Sequence, residues 1–87
     1  MRVEYTRQFQ DHLKEAPLKI QIAFSNRLEM FKENQFHPLL NNHVLKGSYD
    51  GCHSINITGD WRAVYENVKD QGLISFVMLG THSQLYK

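Results

Sequence analysis

The sequence lacks most of the features that would place a chain outside the cell or in a membrane. Its single cysteine, Cys52, excludes an internal disulfide, the bond that usually stabilises small secreted domains. The longest apolar stretch covers only residues 73–79, too short to span a bilayer. The first ten residues alternate charged with apolar side chains and contain no signal-peptide core. With no repeat and no Gly/Ser-rich linker, we expect one cytoplasmic domain over residues 1–87.

The chain also lacks an excess of charge of either sign. Ten Lys and Arg residues against nine Asp and Glu give a formal net charge of +1. Proteins that grip phosphate backbones usually carry a conspicuous basic excess, so unaided binding to any RNA or DNA is not expected. Histidine is the exception, because four of the five lie at position 37 or later. Histidine titrates nearest to neutral pH, so this enrichment is typical of proton transfer, metal binding or pH sensing.

The spacing of apolar residues predicts a strand followed by two helices. Val3 and Tyr5 alternate with polar residues, as in a short strand. Thr6 can cap the first helix, in which Phe9 and Leu13 form an apolar stripe. A second helix is predicted from position 18 to about position 33. Its apolar residues recur at helical spacing: Ile20, Phe24, Leu28 and Phe31.

After residue 51 the apolar period changes to two, which predicts antiparallel strands. They cover 53–58, 61–66 and 73–79, with turns at Gly59-Asp60 and at Lys69-Asp70-Gln71-Gly72. The last strand is apolar except for Ser75, so we expect it inside the sheet. The predicted fold class is therefore α+β: an N-terminal strand, two helices, then an antiparallel three-stranded meander, with the helices packed on one face of the sheet.

Polar side chains at the predicted loops and strand ends supply candidate chemistry. His43, Asp60 and His82 can move protons, while Lys46 and Arg62 can hold a phosphate. Phosphoester cleavage needs both kinds of group. RNA brings its own 2′-hydroxyl as nucleophile, so such a protein needs no serine or cysteine nucleophile.

Each of these residues also has a purely structural explanation. A loop histidine is most often solvated, and Asp60 suits a turn. Arg62 can pair with Glu66 on the same face of its strand. Tyr86 either docks on the core or stacks on a base.

The arrangement of cysteine and histidine fits no metal-binding motif. Cys52 and His53 are adjacent and point to opposite faces of a strand, and no C-x-x-C or H-x-x-x-H spacing occurs. A Gly-rich phosphate loop is absent as well. We expect neither a metal ion nor another cofactor.

Short motifs follow one another in a set order through the second half of the sequence. They are HVLKG at 43–47, INI at 55–57, GDWR at 59–62 and GTHSQLY at 80–86. In this order and spacing they resemble the RelE/ParE superfamily of type II toxin-antitoxin toxins, and within it the YafQ-type mRNA interferases. The resemblance implies a compact sheet with two helices packed on it, and metal-independent cleavage of translated mRNA. The implied partners are a cognate antitoxin, the 70S ribosome and mRNA, with no membrane and no small-molecule cofactor.

The resemblance, with the chemistry above, also indicates which residues form the site. The catalytic candidates are His43, Asp60, Arg62, His82 and Tyr86. The substrate-binding candidates are Lys46, His53, Asn56 and Trp61.

Two positions depart from the family pattern. Asn56 stands where YafQ-type toxins have a histidine and RelE-type toxins a lysine, and Met78 stands where an arginine is expected. Asn56 supplies neither a proton nor a charge, and His53 is the nearby residue that can replace it. The alternatives are therefore a ParE-like toxin that inhibits DNA gyrase by protein binding, or a catalytically degenerate protein that only binds its antitoxin.

Overall fold

The computed structural model describes residues 1–68 and 72–86, whose strands form one mixed sheet. The strands are β1 (Arg2–Tyr5), β2 (His43–Val44), β3 (His53–Asn56), β4 (Trp61–Val68) and β5 (Leu73–Thr81). They lie in the order β1-β5-β4-β3-β2, with β1 parallel to β5 and every other neighbouring pair antiparallel. The helices are α1 (Arg7–Glu15), α2 (Leu18–Glu33) and the short α3 (His82–Leu85). Single 3₁₀ turns occupy Pro38–Leu40 and Gly47–Tyr49.

The two long helices begin where the sequence predicts. The Thr6 hydroxyl accepts a hydrogen bond from the Phe9 amide at 3.1 Å, which satisfies one of the unpaired donors at the start of α1. Pro17 stands immediately before α2, and its carbonyl accepts from the amides of Ile20 and Gln21. Proline is tolerated there because it lacks only an N–H that a helix start leaves unpaired. The predicted bounds of α2 are confirmed.

The larger core lies between these helices and one face of the sheet. Phe76 of β5 is completely buried, and aromatic rings from both helices and from β4 surround it. Its ring centroid lies 5.4–5.9 Å from those of Phe9, Phe24, Phe31 and Tyr65. Such tilted and edge-to-face contacts add to the stabilisation from burial alone. This cluster fixes the sheet against the helices.

A second, smaller cluster covers the opposite face of the sheet. Leu45, Val64 and Leu85 are buried there, with Met78 and Tyr86 packed against them. The β4–β5 pairing shifts register between Val64 and Tyr65, and the consecutive residues Val77 and Met78 of β5 both pack against this cluster. α3 and the segment after β2 therefore form a thin second layer, which the sequence does not predict.

The edge of β5 that extends beyond β1 is covered by side chains. The His12 Nδ1 atom accepts a hydrogen bond from the Leu79 amide at 3.3 Å. Gln84 of α3 accepts from the Thr81 amide at 2.8 Å and completes a capping box at the start of that helix. An uncovered strand edge invites pairing with another chain. These contacts thus protect the edge and fix α3, whose first residue is His82.

The predicted fold class is confirmed, including the antiparallel β3-β4-β5 meander and the internal position of β5. Three details differ or extend the prediction. Residues 43–44, where the sequence predicts no strand, form the edge strand β2; β1 joins the sheet in parallel; and α3 lies on the face opposite the long helices. Apart from Gly72, the turn predicted at Lys69-Asp70-Gln71-Gly72 lies outside the described residues. Within the described ranges, every helix is too short or too polar to cross a membrane.

Candidate functional site

The face of the sheet under α3 carries most of the predicted site residues. Side chains directly opposite one another in an antiparallel pair share a face. The pairs His43–Ser54, Ser54–Val64 and Asn56–Arg62 follow from the strand registers. The smaller cluster identifies this face, because Val64 belongs to it. We call it the α3 face.

His43 is held in a defined orientation at the edge of this face. Its Nδ1 atom lies 2.8 Å from the carbonyl oxygen of Asn41. A carbonyl only accepts, so Nδ1 carries the hydrogen, and Nε2 of the neutral ring keeps a lone pair. Asn41 has φ 46°, a left-handed conformation that asparagine adopts more readily than most residues. The exposed imidazole is thereby set up to accept a proton through Nε2.

His82 and Asp60 are brought together by the pairing of β4 with β5. The sequence leaves this geometry open, whereas the structure places the Trp61–Thr81 pair next to both residues. The His82 amide donates a hydrogen bond to the Asp60 carbonyl at 2.8 Å. Both residues are exposed at this end of the sheet. This backbone contact brings an acidic residue and a histidine, two residue types used in proton transfer, to the same end of the sheet.

Tyr86 links His82 to the centre of the α3 face. Its ring centroid lies 4.7 Å from that of His82 in an edge-to-face arrangement. Its hydroxyl donates to the Ser54 hydroxyl oxygen at 2.8 Å. Ser54 is completely buried. Tyr86 is therefore docked on the sheet through its hydroxyl, while one side of its ring contacts a candidate catalytic histidine; stacking on a base stays a prediction.

Arg62 is engaged by the hairpin turn rather than by a carboxylate. Its guanidinium donates to the carbonyl oxygens of Thr58 and Trp61 at 3.0 Å and of Gly59 at 3.2 Å. Glu66 is not a partner of Arg62 among the ion pairs of the described chain. The cation is therefore fixed beside Asp60, at the same end of the sheet as His82.

Asn56 and Lys46 occupy other parts of this region. The Oδ1 atom of Asn56 is buried and, within the residues described, has no hydrogen-bond partner. Met78, the second departure from the family pattern, packs in the smaller cluster. Lys46 is exposed after the buried Leu45 and directly before a 3₁₀ turn. The side chains at both departing positions are thus neutral, and Lys46 is an exposed cation shortly after β2.

His53 and Trp61 lie on the opposite face, toward the long helices. The His53 ring stacks on Tyr65 with centroids 5.0 Å apart and planes at 9°. Because successive strand residues alternate in direction, His53 points away from Asn56 and does not replace the histidine missing there. Trp61 packs against the larger core and borders a cleft of about 370 Å³ with His12 and Gln84.

Burial and the neighbouring Glu66 carboxylate both raise the pKa of the Cys52 thiol. Desolvation raises the pKa of its thiol, and the negative charge of Glu66 raises that pKa further. The opposite case holds at an activated cysteine, where positive charge lowers the pKa. Both effects therefore disfavour the thiolate form of Cys52.

We expect Glu66→Gln to make Cys52 more reactive toward a thiol reagent at neutral pH. Removal of the negative charge lowers the thiol pKa and increases the thiolate fraction, by about 2- to 4-fold for one partly solvated charge pair. The measurement is the alkylation rate of the folded protein. Glu4→Gln, which removes an exposed carboxylate from β1, should leave the rate unchanged. An equal rate in the Glu66→Gln variant and the wild type would contradict the assigned cause.

Ser54 and Asn41 are the residues of this site that sequence reasoning misses. Ser54 alternates with apolar residues, as an exposed strand residue would, and only the chain that covers the α3 face buries it. Asn41 contributes its backbone conformation and carbonyl, which one residue letter in a polar run does not reveal. The adjacent Asn41-Asn42 pair before His43 was the available signal.

The whole chain, residues 1–87, matches the protein-family model described as "Bacterial toxin of type II toxin-antitoxin system, YafQ". Among solved structures it is similar to YafQ from E. coli strain BL21(DE3), with TM-score 0.81 and 22% identity over 100% of both chains. It is also similar to a YoeB/ParE toxin from Agrobacterium tumefaciens, with TM-score 0.76 and 20% identity over 94% of this chain and 99% of that one. A chain of the E. coli DinJ-YafQ complex gives TM-score 0.69 and 23% identity over 100% of both chains. No curated protein matches. At these identities the structural likeness shows a shared fold.

Proposed function

Because this chain belongs to the YafQ family of toxins of bacterial type II toxin-antitoxin systems, we propose that it is a ribosome-dependent endoribonuclease that cleaves translated mRNA. One observation carries the proposal. His43 and His82 are both exposed, and Ser54 and Tyr86 connect them across the α3 face. Two histidines on one surface supply the base and the acid that RNA cleavage requires.

The proposed chemistry uses the RNA as its own nucleophile. His43 Nε2 takes the proton of a 2′-hydroxyl, and the resulting oxygen attacks the adjacent phosphorus. The bond from phosphorus to the 5′-oxygen breaks, and protonated His82 gives that oxygen its proton. The products are a 2′,3′-cyclic phosphate and a 5′-hydroxyl end. The carboxylate of Asp60 is a further group that can move protons at this end of the site.

Phosphate binding is the weaker part of this site. The guanidinium of Arg62 is already hydrogen-bonded to three carbonyl oxygens, and Lys46 is an exposed cation shortly after β2. With a net charge of +1, the protein gains little from neutralising phosphates on its own. We therefore assign most of the substrate positioning to the 70S ribosome, which holds mRNA in its decoding site.

The proposed regulator is a cognate antitoxin protein. A structure of the E. coli DinJ-YafQ complex is similar to this chain along its whole length. We propose that the partner here binds and neutralises the toxin in the cytoplasm, and that neither a metal ion nor another cofactor takes part.

A second candidate function follows from Asn56 and Met78. Both residues are uncharged at positions where ribonucleases of the superfamily are expected to have ionisable groups. A ParE-like toxin that stops DNA gyrase by binding it needs no such groups, and neither does a degenerate protein that only binds an antitoxin. The orientation of His43 favours the nuclease, because gyrase binding does not require a base at Nε2.

Mapping of RNA ends after induction separates the three functions. The protein is expressed in cells without antitoxin, and 5′ ends are sequenced across the transcriptome. We expect new ends with 5′-hydroxyl groups inside translated codons within minutes of induction. Growth arrest with induction of the DNA-damage response and no new ends would indicate the gyrase inhibitor. Unimpaired growth with no new ends would indicate the degenerate protein.

A further inference from the structure

We propose that Ser54 is a positioning residue that, through Tyr86, sets the placement of His82 relative to His43. The inference rests on the proposed nuclease function and adds to it the residue that joins the two histidines. Ser54 lies directly across from His43 in the β2–β3 pair. Its hydroxyl oxygen accepts the Tyr86 hydroxyl, and the Tyr86 ring contacts His82.

The burial of Ser54 is the first argument. Across residues 1–68 and 72–86 it is the one buried residue of the polar and charged classes, at 0% exposure. Its partner across the β3–β4 pair is the apolar Val64, which belongs to the smaller cluster. Burying a hydroxyl costs free energy unless it is hydrogen-bonded. The hydrogen bond from Tyr86 offsets that cost and ties the Ser54 hydroxyl to the residue whose ring contacts His82.

The location of Tyr86 is the second argument. It follows α3, a helix of only four residues, which is too short to be stable without tertiary contacts. The capping box at Thr81 fixes the start of α3, and the Tyr86 hydroxyl fixes its end. His82 lies between these two anchors. Its backbone is held by the Asp60 carbonyl, and its ring rests against Tyr86.

The consequence concerns geometry rather than chemistry. Acid and base must lie on opposite sides of one phosphodiester, and a shift of about 1 Å in a reacting group can cost about 100-fold in rate. Ser54 belongs to the strand next to His43, so the same strand fixes both ends of this arrangement. A variant with alanine at position 54 would keep both histidines but lose the fixed position of His82 relative to His43.

The test compares Ser54→Ala, which removes the acceptor, with Tyr86→Phe, which removes only the donor. In a purified translation system with a defined message, each should lower kcat about 10-fold and leave KM for programmed ribosomes within about 2-fold. The double variant should lose no more than either single variant, because both remove the same bond. Ser75→Ala, a half-buried strand serine on β5, is the matched control and should match the wild type.

A second readout does not depend on cleavage. The Tyr86 ring shifts the NMR signals of the His82 ring protons, and both variants should move these signals toward those of a solvated histidine. Wild-type His82 signals in both variants, or additive losses of kcat in the double variant, would overturn the positioning role while leaving the nuclease in place. If the wild type cuts no message, the proposed function fails, and the His82 signals alone decide whether Ser54 positions the ring. If Ser54→Ala does not fold, Tyr86→Phe carries the comparison.

Discussion

Replacing His82 with alanine is expected to abolish toxicity and leave the fold intact. Loss of the general acid should lower the mRNA cleavage rate by about 10²- to 10⁴-fold. The side chain is exposed, so the free energy of unfolding should change by no more than about 0.5 kcal/mol. The measurements are colony formation after induction without antitoxin, the cleavage rate on programmed ribosomes, and the thermal unfolding midpoint.

Ser83→Ala is the control for this variant. Ser83 follows His82 in the same short helix and is also exposed, but it has no contact with the proposed reaction. It should arrest growth as the wild type does. If His82→Ala protein is folded and still cuts messages at the wild-type rate, His82 is not the general acid.

The largest expected loss of stability comes from Phe76→Ala. Phe76 is completely buried among aromatic rings from α1, α2 and β4. Truncating such a residue costs about 3–5 kcal/mol, because it loses the transfer free energy and leaves a cavity. The free energy of unfolding of a small domain is only about 5–15 kcal/mol in total. The thermal unfolding midpoint of the variant should therefore fall by at least about 12 °C.

Phe36→Ala makes the same chemical change at a surface position. Phe36 is 72% exposed, so its truncation should shift the midpoint by no more than about 2–4 °C. Both variants are compared by thermal and urea unfolding. Equal losses of stability at positions 36 and 76 would show that the aromatic cluster around Phe76 is not the centre of the core.

The elements that follow from local pattern are the ones the sequence predicts. Thr6 has a side chain that can cap a helix start, which predicts α1. Phe24 and the other apolar residues of α2 repeat at helical spacing, which predicts that helix. The meander is readable because period-two alternation continues on both sides of the Gly59-Asp60 turn. Local pattern also selects the α+β class.

The elements that depend on contacts between distant parts of the chain cannot be predicted from local sequence pattern. The two residues of β2 are too few to show a period, and the parallel pairing of β1 with β5 joins segments about seventy positions apart in the chain. α3 has one turn, which tertiary contacts stabilise rather than its own composition. These contacts decide which side of the sheet is covered.

The same division applies to the candidate site. The motifs name His43, Asp60, Arg62, His82 and Tyr86 without showing which of them meet. The β4–β5 register brings Asp60 to His82, and the Tyr86–Ser54 bond ties α3 to the strand next to His43. Strand alternation separates His53 from Asn56, although the two are only three positions apart. The net charge of +1 is known from composition, but it bears on function only through the proposal that a ribosome, rather than the protein's own charge, holds the substrate.

One measurement tests the central proposal most directly. Purified protein is added to ribosomes stalled on a defined mRNA, and the 5′ ends are located by primer extension, with the same mRNA free in solution in parallel. We predict cleavage within the codon in the ribosomal A site, no cleavage of free mRNA, and no cleavage by the His82→Ala variant. Intact message on wild-type-treated ribosomes, or equal cutting of free mRNA, would contradict a ribosome-dependent nuclease.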